Sequence, residues 1–382
     1  MKKRHLLLVL GIVLIFIGGF SSGVIYTLNN KPIKLKIAPA PASAVNPMEK
    51  PVPEIPKSKS KVLVGYVQDF RDPNLIDYAK LTHVIFSFTH PTKDGEILFS
   101  GDYALKNLRT IVAKAKQHNT KVILAIGGWY HIEGGESYPY FKAAISNPAA
   151  RTKLVNELAS FVEREHLDGI DIDFEHSRSA EDAQNLKAFA KQLSGKLHTK
   201  NKELSIAVYS KINAETLTEV GFVQYQPEMF KYVDHVNIMA YDGQWDGKYN
   251  AANISPYKFT EKIVNYWSNL FEQHHLSKDK LVLGVPLYAQ PSDPKIKQLS
   301  YAAILKNNPA NGSADTVKIN GTTYFYNGTS TMEKKTKLAL VHGFGGMMLW
   351  EAGLDAQGPK SLTAAIYSAL KNGNGKYYSQ KN

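Results

Sequence analysis

Beyond position 60 the chain alternates two hydrophobic patterns. Short runs of β-branched and apolar residues recur: KVLVGYV from Lys61, THVIFSF from Thr82, KVILAIGG from Lys121, DGIDIDFE from Asp168, LSIAVYS from Leu204, DHVNIMAYD from Asp234, LVLGVPLY from Leu281 and GGMMLW from Gly345. Between most of them lie longer segments with helical spacing, such as YALKNLRTIVAKAKQH and RTKLVNELASFVEREH. Strands that alternate with helices imply parallel pairing through crossovers, and strands apolar along most of their length imply a sheet covered on both faces. About eight such strands predict an α/β chain closed into a (β/α)8 TIM barrel. An open doubly wound sheet is the alternative, but no G-x-G-x-x-G follows the first strand. The connection between Tyr288 and Trp350 contains SYAAILKNNP and TVKINGTTYFYNG, which predict a helix and a small hairpin rather than an independent domain.

The first 60 residues follow a different pattern. MKKRH is basic, and the run from Leu6 to Leu28 carries no charged residue. That run exceeds the ~7 to 15 apolar residues of a cleaved signal and approaches the ~20 that span a bilayer, so residues 1–30 read as a transmembrane anchor or signal segment. Ala42, Ser43 and Ala44 resemble a cleavage site but lie well beyond the apolar run. Lys2, Lys3 and Arg4 place the remainder outside the cytoplasm by the positive-inside tendency, a tendency that Lys31, Lys34 and Lys36 weaken. The expected location is extracytoplasmic, membrane-anchored, or secreted if the segment is removed. Residues 31–60 are rich in Pro and Lys without apolar periodicity and read as an extended, semi-rigid linker. The folded domain is expected over residues 61–375.

Composition narrows the chemistry. The chain has 382 residues and no cysteine, which removes disulfides, thiolate metal sites and a cysteine nucleophile. Its formal charge of +12 raises nucleic acid as a partner, but the lysines are scattered singly with no basic stripe interleaved with aromatics. The charge reads as solubility and affinity for anionic surfaces, with no nucleic-acid partner and a monomeric state expected. GFSSG matches a nucleophile pattern only inside the apolar N-terminal run, and no phosphate-binding G-x-x-x-x-G-K-[ST] occurs.

One strand departs from the apolar pattern. LDGIDIDFEH, Leu167 to His176, holds Asp168, Asp171, Asp173 and Glu175. Alternation puts Asp168, Ile170, Ile172 and Phe174 on one face and Gly169, Asp171, Asp173 and Glu175 on the other. If the Ile, Ile, Phe face packs on the outer helices, the acids point into the barrel, with Glu175 at the C-terminal mouth where barrel enzymes place their chemistry. Like charges two residues apart cannot all ionise cheaply in low dielectric. A proton is therefore expected to be shared between Asp171 and Asp173 or between Asp173 and Glu175, which raises Glu175 towards general-acid duty near neutral pH. Clustered acids also bind metals. Inward-facing histidine ligands are not evident and no H-E-x-x-H occurs, so neither metal nor cofactor is expected.

The pattern D-G-x-D-x-D-x-E, met at every fixed position from Asp168 to Glu175, resembles the signature of glycoside hydrolase family 18, the chitinases and their relatives. LAIGGW (Leu124 to Trp129), MAYD (Met239 to Asp242) and LWEAGLD with Trp350 fall in that family's order on the third, sixth and eighth strands. The family often has Ser where this chain has Ala125. The resemblance spans roughly Lys61 to Leu370.

The resemblance implies substrate-assisted, retaining hydrolysis, in which the substrate's own 2-acetamido oxygen attacks the anomeric carbon. Glu175 would protonate the leaving oxygen and later activate water. Asp173 would hold the acetamido N–H, Asp171 would share a proton with Asp173, and Tyr241 would donate to the acetamido oxygen. Asp242 and Met239 would line the site and Trp350 would floor it, because pyranose C–H faces pack on aromatic rings. Tyr66, Phe88, Trp129, Tyr209 and Tyr288 are further candidates for sugar contact, each equally well read as a barrel-core aromatic. Gly127 and Gly128 would permit close backbone approach near the site, although a simple strand-to-loop turn would also use them. The expected activity is that of a chitinase cleaving β-1,4 bonds between N-acetylglucosamine units, in a shallow, endo-acting cleft. The alternatives are hydrolysis of another N-acetylglucosamine glycan, such as peptidoglycan or an N-glycan core, and a catalytically weak chitin-binding lectin.

Overall fold

The computed structural model describes residues 33–34, 61–175 and 177–376. All eight strand-like runs form strands: β1 (Val62–Gln68), β2 (His83–Pro91), β3 (Lys121–Gly127), β4 (Gly169–Asp173), β5 (Glu203–Tyr209), β6 (His235–Met239), β7 (Leu281–Pro286) and β8 (Gly346–Trp350). Each pairs in parallel with its sequence neighbours, and Gly346 to Leu349 of β8 lie against Val62 to Gly65 of β1. The sheet is thereby closed into a barrel, and no open-edged doubly wound arrangement remains.

Closure separates two apolar layers. Val122, Leu124 and Ile126 of β3 join Ile170, Ile172 and Phe174 in the large cluster between strands and helices. Ile123 and Ala125 of β3 instead join Val64, Tyr66, Ile85, Tyr241, Val282 and Met348 inside the barrel. The period-2 alternation of a strand buried on both faces produces this division. Outer helices supply the large rings, with Phe161, Phe189, Trp267 and Phe271 fully buried.

Local signals set the helix that follows the acidic strand. Ser179 caps Ala180–Leu197 by accepting from the Asp182 backbone N–H at 3.1 Å, and Glu181 and Asp182 add negative charge to its first turn. Asp182 also accepts from the Tyr138 hydroxyl at 2.9 Å and the Arg178 N–H at 3.0 Å. These bonds pin the segment leading away from Glu175 to the helix after β3.

Between β7 and β8 the expected helix, Tyr301–Asn307, and hairpin, Thr316–Ile319 with Thr322–Phe325, are present. The hairpin also pairs with Tyr288–Pro291, which in turn pairs with Leu299–Ser300, so this excursion is a four-stranded antiparallel sheet. Within the linker, Ile33–Lys34 pairs antiparallel with Phe99 and Leu98. The apolar run Leu6 to Leu28 lies outside the described residues. Among the described residues no helix is long and apolar enough to cross a membrane.

The β3–β4 contact sets how closely the mouth can be built. Gly127 has φ +115°, and a Cβ there would lie 2.2 Å from the Asp173 carbonyl oxygen. Gly127→Ala is therefore expected to cost about 2 kcal/mol or more, measured as a lower urea midpoint with unchanged slope.

Candidate active site

The strand reading of LDGIDIDFEH predicts inward-pointing acids, and Asp171 lies at 0% exposure inside the barrel. Its carboxylate is held by three donors. Oδ2 accepts from the Tyr66 hydroxyl at 2.7 Å, and Oδ1 accepts from Ser205 Oγ at 2.5 Å and Asn237 Nδ2 at 3.2 Å. Asn237 Nδ2 also donates to the Tyr66 oxygen at 3.1 Å. Strands β1, β4, β5 and β6 thus meet at one carboxylate. Burial raises Asp171 to about 6, while the three donors pull it back towards the ionised form.

Asp173 sits two residues nearer the mouth and is equally enclosed, at 3% exposure. Its Oδ1 has no hydrogen-bond partner. Burial, then repulsion from Glu175 and Asp171, holds it well above the ordinary carboxylate range. The two aspartates are therefore unequal: Asp171 has three donors that stabilise its anion, whereas Asp173 is pushed further towards its protonated form.

Glu175 lies just past the end of β4 and is half-buried. Desolvation first, and repulsion from Asp242 second, push it up to about 8. Gly128 donates its N–H to the Asp173 carbonyl at 2.9 Å, tying the β3 turn beneath this end of β4.

Tyr241, just past β6, is buried against the inner cluster, and its hydroxyl lies 3.9 Å from Met348 Sδ. Burial and the nearby carboxylates of Asp242, Asp173, Glu175 and Asp171 raise it well above the ordinary tyrosine value, so it remains a hydroxyl donor. Asp242 accepts from Gln244 Nε2 at 2.9 Å and, in a very short bond, from the Tyr288 hydroxyl.

A family model described as "Glycosyl hydrolases family 18" matches residues 62–355, the whole barrel. The chain belongs to that family. Probable chitinase 10 of Drosophila melanogaster is 28% identical over 272 residues, but the match covers 64% of this chain and only 11% of that protein's length. Chitinase 1 of Aphanocladium album is 26% identical over 368 residues, covering 80% of this chain and 82% of the relative. Among solved structures, the family 18 chitinase ChiB of Flavobacterium johnsoniae superposes with a TM-score of 0.67 at 25% identity, covering 82% of this chain and 95% of that one.

Around the acids of this family 18 barrel, the aromatic candidates divide by depth. Trp350, Phe88, Trp129 and Tyr209 are half-buried, as is Met239. Trp350 lies edge-on to Tyr66 at 5.6 Å between ring centroids and 6.0 Å from Phe88. Gly128 is packed beneath Phe88, since a Cβ at Gly128 would meet that ring at 2.9 Å. Tyr66 differs from these. At 1% exposure, with its hydroxyl engaged by Asp171, it supports the acid row from within and offers no face to a sugar.

Tyr209 and Tyr288 also carry polar duties. The Tyr209 hydroxyl donates to Asp246 at 3.0 Å, and its backbone N–H donates to Tyr225 at 2.9 Å. Tyr288, 5% exposed, serves Asp242.

Ser205, Asn237 and Tyr225 escape the sequence reading. The first two carry a visible signal, a polar residue at an inward position in the middle of a strand. Tyr225 lies in irregular chain between β5 and β6 and carries none.

A buried carboxyl with one unpartnered oxygen and two acidic neighbours opposes folding once it must ionise. Because Asp173 is raised, the folded chain holds its proton above the pH at which the unfolded chain releases it, so this group's contribution to stability falls as pH rises from about 4. Asp173→Asn is therefore expected to raise Tm by roughly 2 °C, with a larger gain at pH 8 than at pH 4. Thermal unfolding followed by circular dichroism at both pH values checks the size and the sign.

Proposed function

We propose that the chain is a chitinase that hydrolyses β-1,4 bonds between N-acetylglucosamine units with retention, using the substrate's acetamido group as nucleophile. The observation that carries this reading is Glu175, half-buried at the barrel mouth and pushed up to about 8, above an Asp173 that is itself held well above the ordinary carboxylate range. A carboxyl protonated at neutral pH and open on one side is what a general acid requires.

In this reading Glu175 gives its proton to the leaving glycosidic oxygen as the acetamido carbonyl oxygen bonds to the anomeric carbon. The bond to the leaving sugar breaks and an oxazolinium ion forms. Water then attacks the same carbon, losing its proton to the Glu175 carboxylate, and the ring reopens to the acetamide. Asp173 orients the acetamido N–H, Tyr241 donates to the acetamido oxygen, and Asp171 supplies a fixed negative charge that lowers the energy of the positive intermediate. Trp350 floors the bound sugar, with Phe88 beside it. The chain acts as a monomer outside the cytoplasm, held to the membrane through residues 1–30, and cleaves within the chain of its polymer.

Hydrolysis of chitotetraose, with its fully deacetylated analogue as control, tests the mechanism. Cleavage of the acetylated oligomer alone is expected. Cleavage of both removes the acetamido nucleophile from the scheme, and cleavage of neither points to another N-acetylglucosamine glycan or to a lectin. Glu175→Gln is expected to lower kcat by about 10²- to 10⁴-fold while oligosaccharide binding survives. The catalytic form of Glu175 is the protonated one, so kcat/KM should fall as pH rises through about 8.

A further inference from the structure

The N-terminal end of the barrel, opposite the acid row, holds a second polar cluster that the hydrolysis does not use. His83, Glu203 and His235 are the first residues of β2, β5 and β6, and closure of the barrel turns all three towards one another. Each offers one ligand atom within 4.8 Å of the others. His83 Nε2 lies 3.0 Å from Glu203 Oε2, and the two imidazole rings stand edge to face with centroids 5.3 Å apart. Thr82 Oγ1, 2.8 Å from His83 Nδ1, holds that ring so that Nε2 faces Glu203. His235 Nδ1 is buried and has no hydrogen-bond partner.

We propose that His83, Glu203 and His235 bind one divalent transition-metal ion, with Zn²⁺ the best match. Two imidazole nitrogens and one carboxylate oxygen are a donor set that suits zinc, whereas magnesium and calcium call for oxygen ligands throughout. A tetrahedral zinc site places its ligand atoms about 3.4 Å apart, so a cluster whose ligand atoms lie within 4.8 Å of one another closes around an ion with movements of at most about 1.4 Å. The fourth position falls to water, since the Glu203 side chain keeps 21% exposure at this end of the barrel. Thr82 acts as the outer partner that orients a ligating histidine.

Lys121, the first residue of β3, is the built-in competitor. Its ammonium sits on Glu203 Oε1 in a very short ion pair and occupies the counter-charge position. The Lys121 side chain is 48% exposed, so it can turn out to water when a cation arrives. A bound ion would join β2, β5 and β6 at the barrel floor by bonds independent of the chemistry at the mouth.

The test is Zn²⁺ titration of the chelator-treated full chain by isothermal calorimetry, for the wild type, His83→Gln, His235→Gln and Lys121→Met. One Zn²⁺ per chain is expected in the wild type, with affinity lowered about 10-fold or more in each histidine variant. Lys121→Met is expected to bind several-fold more tightly, because the competing charge is gone. Absence of stoichiometric binding by the wild type overturns the site, and so does binding that the histidine variants leave unchanged. Where a histidine variant does not fold, Lys121→Met decides: tighter binding supports the site and unchanged affinity overturns it.

Discussion

The site depends on the cost of burying a charged carboxylate. Asp171 lies at 0% exposure in the centre of the barrel, where an unpaired anion would be severely penalised. Tyr66, Ser205 and Asn237 offset that cost with three hydrogen bonds drawn from three different strands. Once Asp171 is stabilised as an anion, its charge opposes ionisation of Asp173, and Asp173 in turn stands next to Glu175. Burial raises all three carboxyls of β4 and its end, and what separates the two aspartates is their neighbours: repulsion from Glu175 and Asp171 at Asp173, donors at Asp171. Asp171 has three, while one oxygen of Asp173 has none.

The barrel makes this arrangement possible by separating packing from chemistry. Ile170, Ile172 and Phe174 hold β4 to the helices outside, which leaves the inward positions free of any duty in the outer core. Small residues keep room there. Ala125 lies in register with Asp171 on the neighbouring strand, and Gly127 passes close to the Asp173 carbonyl. A serine at 125, common in this family, would add a hydroxyl beside the acid row. In this chain the anion is instead satisfied from the β1, β5 and β6 sides.

The same barrel collects polar residues at both ends, with different consequences. At the mouth the acids lie among half-buried aromatics. At the floor His83 and Glu203 are already paired, and Lys121 neutralises the carboxylate. Burying these weakened acids at the mouth costs free energy that folding must supply from the apolar layers, a usual relation between stability and a working site. The floor cluster instead links the starts of its strands.

Much of this protein was legible in the order of its residues. Period-2 alternation and helical spacing are local properties, so the eight strands, the hairpin before β8 and the outward Ile, Ile, Phe face of β4 could all be read directly. D-G-x-D-x-D-x-E is local too, and with the motifs on the third, sixth and eighth strands it pointed to the family. Which residues meet across the barrel is decided by closure, which brings together positions far apart in the chain. Tyr66 reads equally as an aromatic available to a sugar or as barrel core, and the fold decides for the core, with its hydroxyl on a carboxylate 105 residues away. His83 and Glu203 are separated by 120 residues and show no ligand spacing, so inward-facing histidines were invisible until the strands were arranged side by side. Local pattern determines which face a side chain takes; only the closed sheet decides what that face meets.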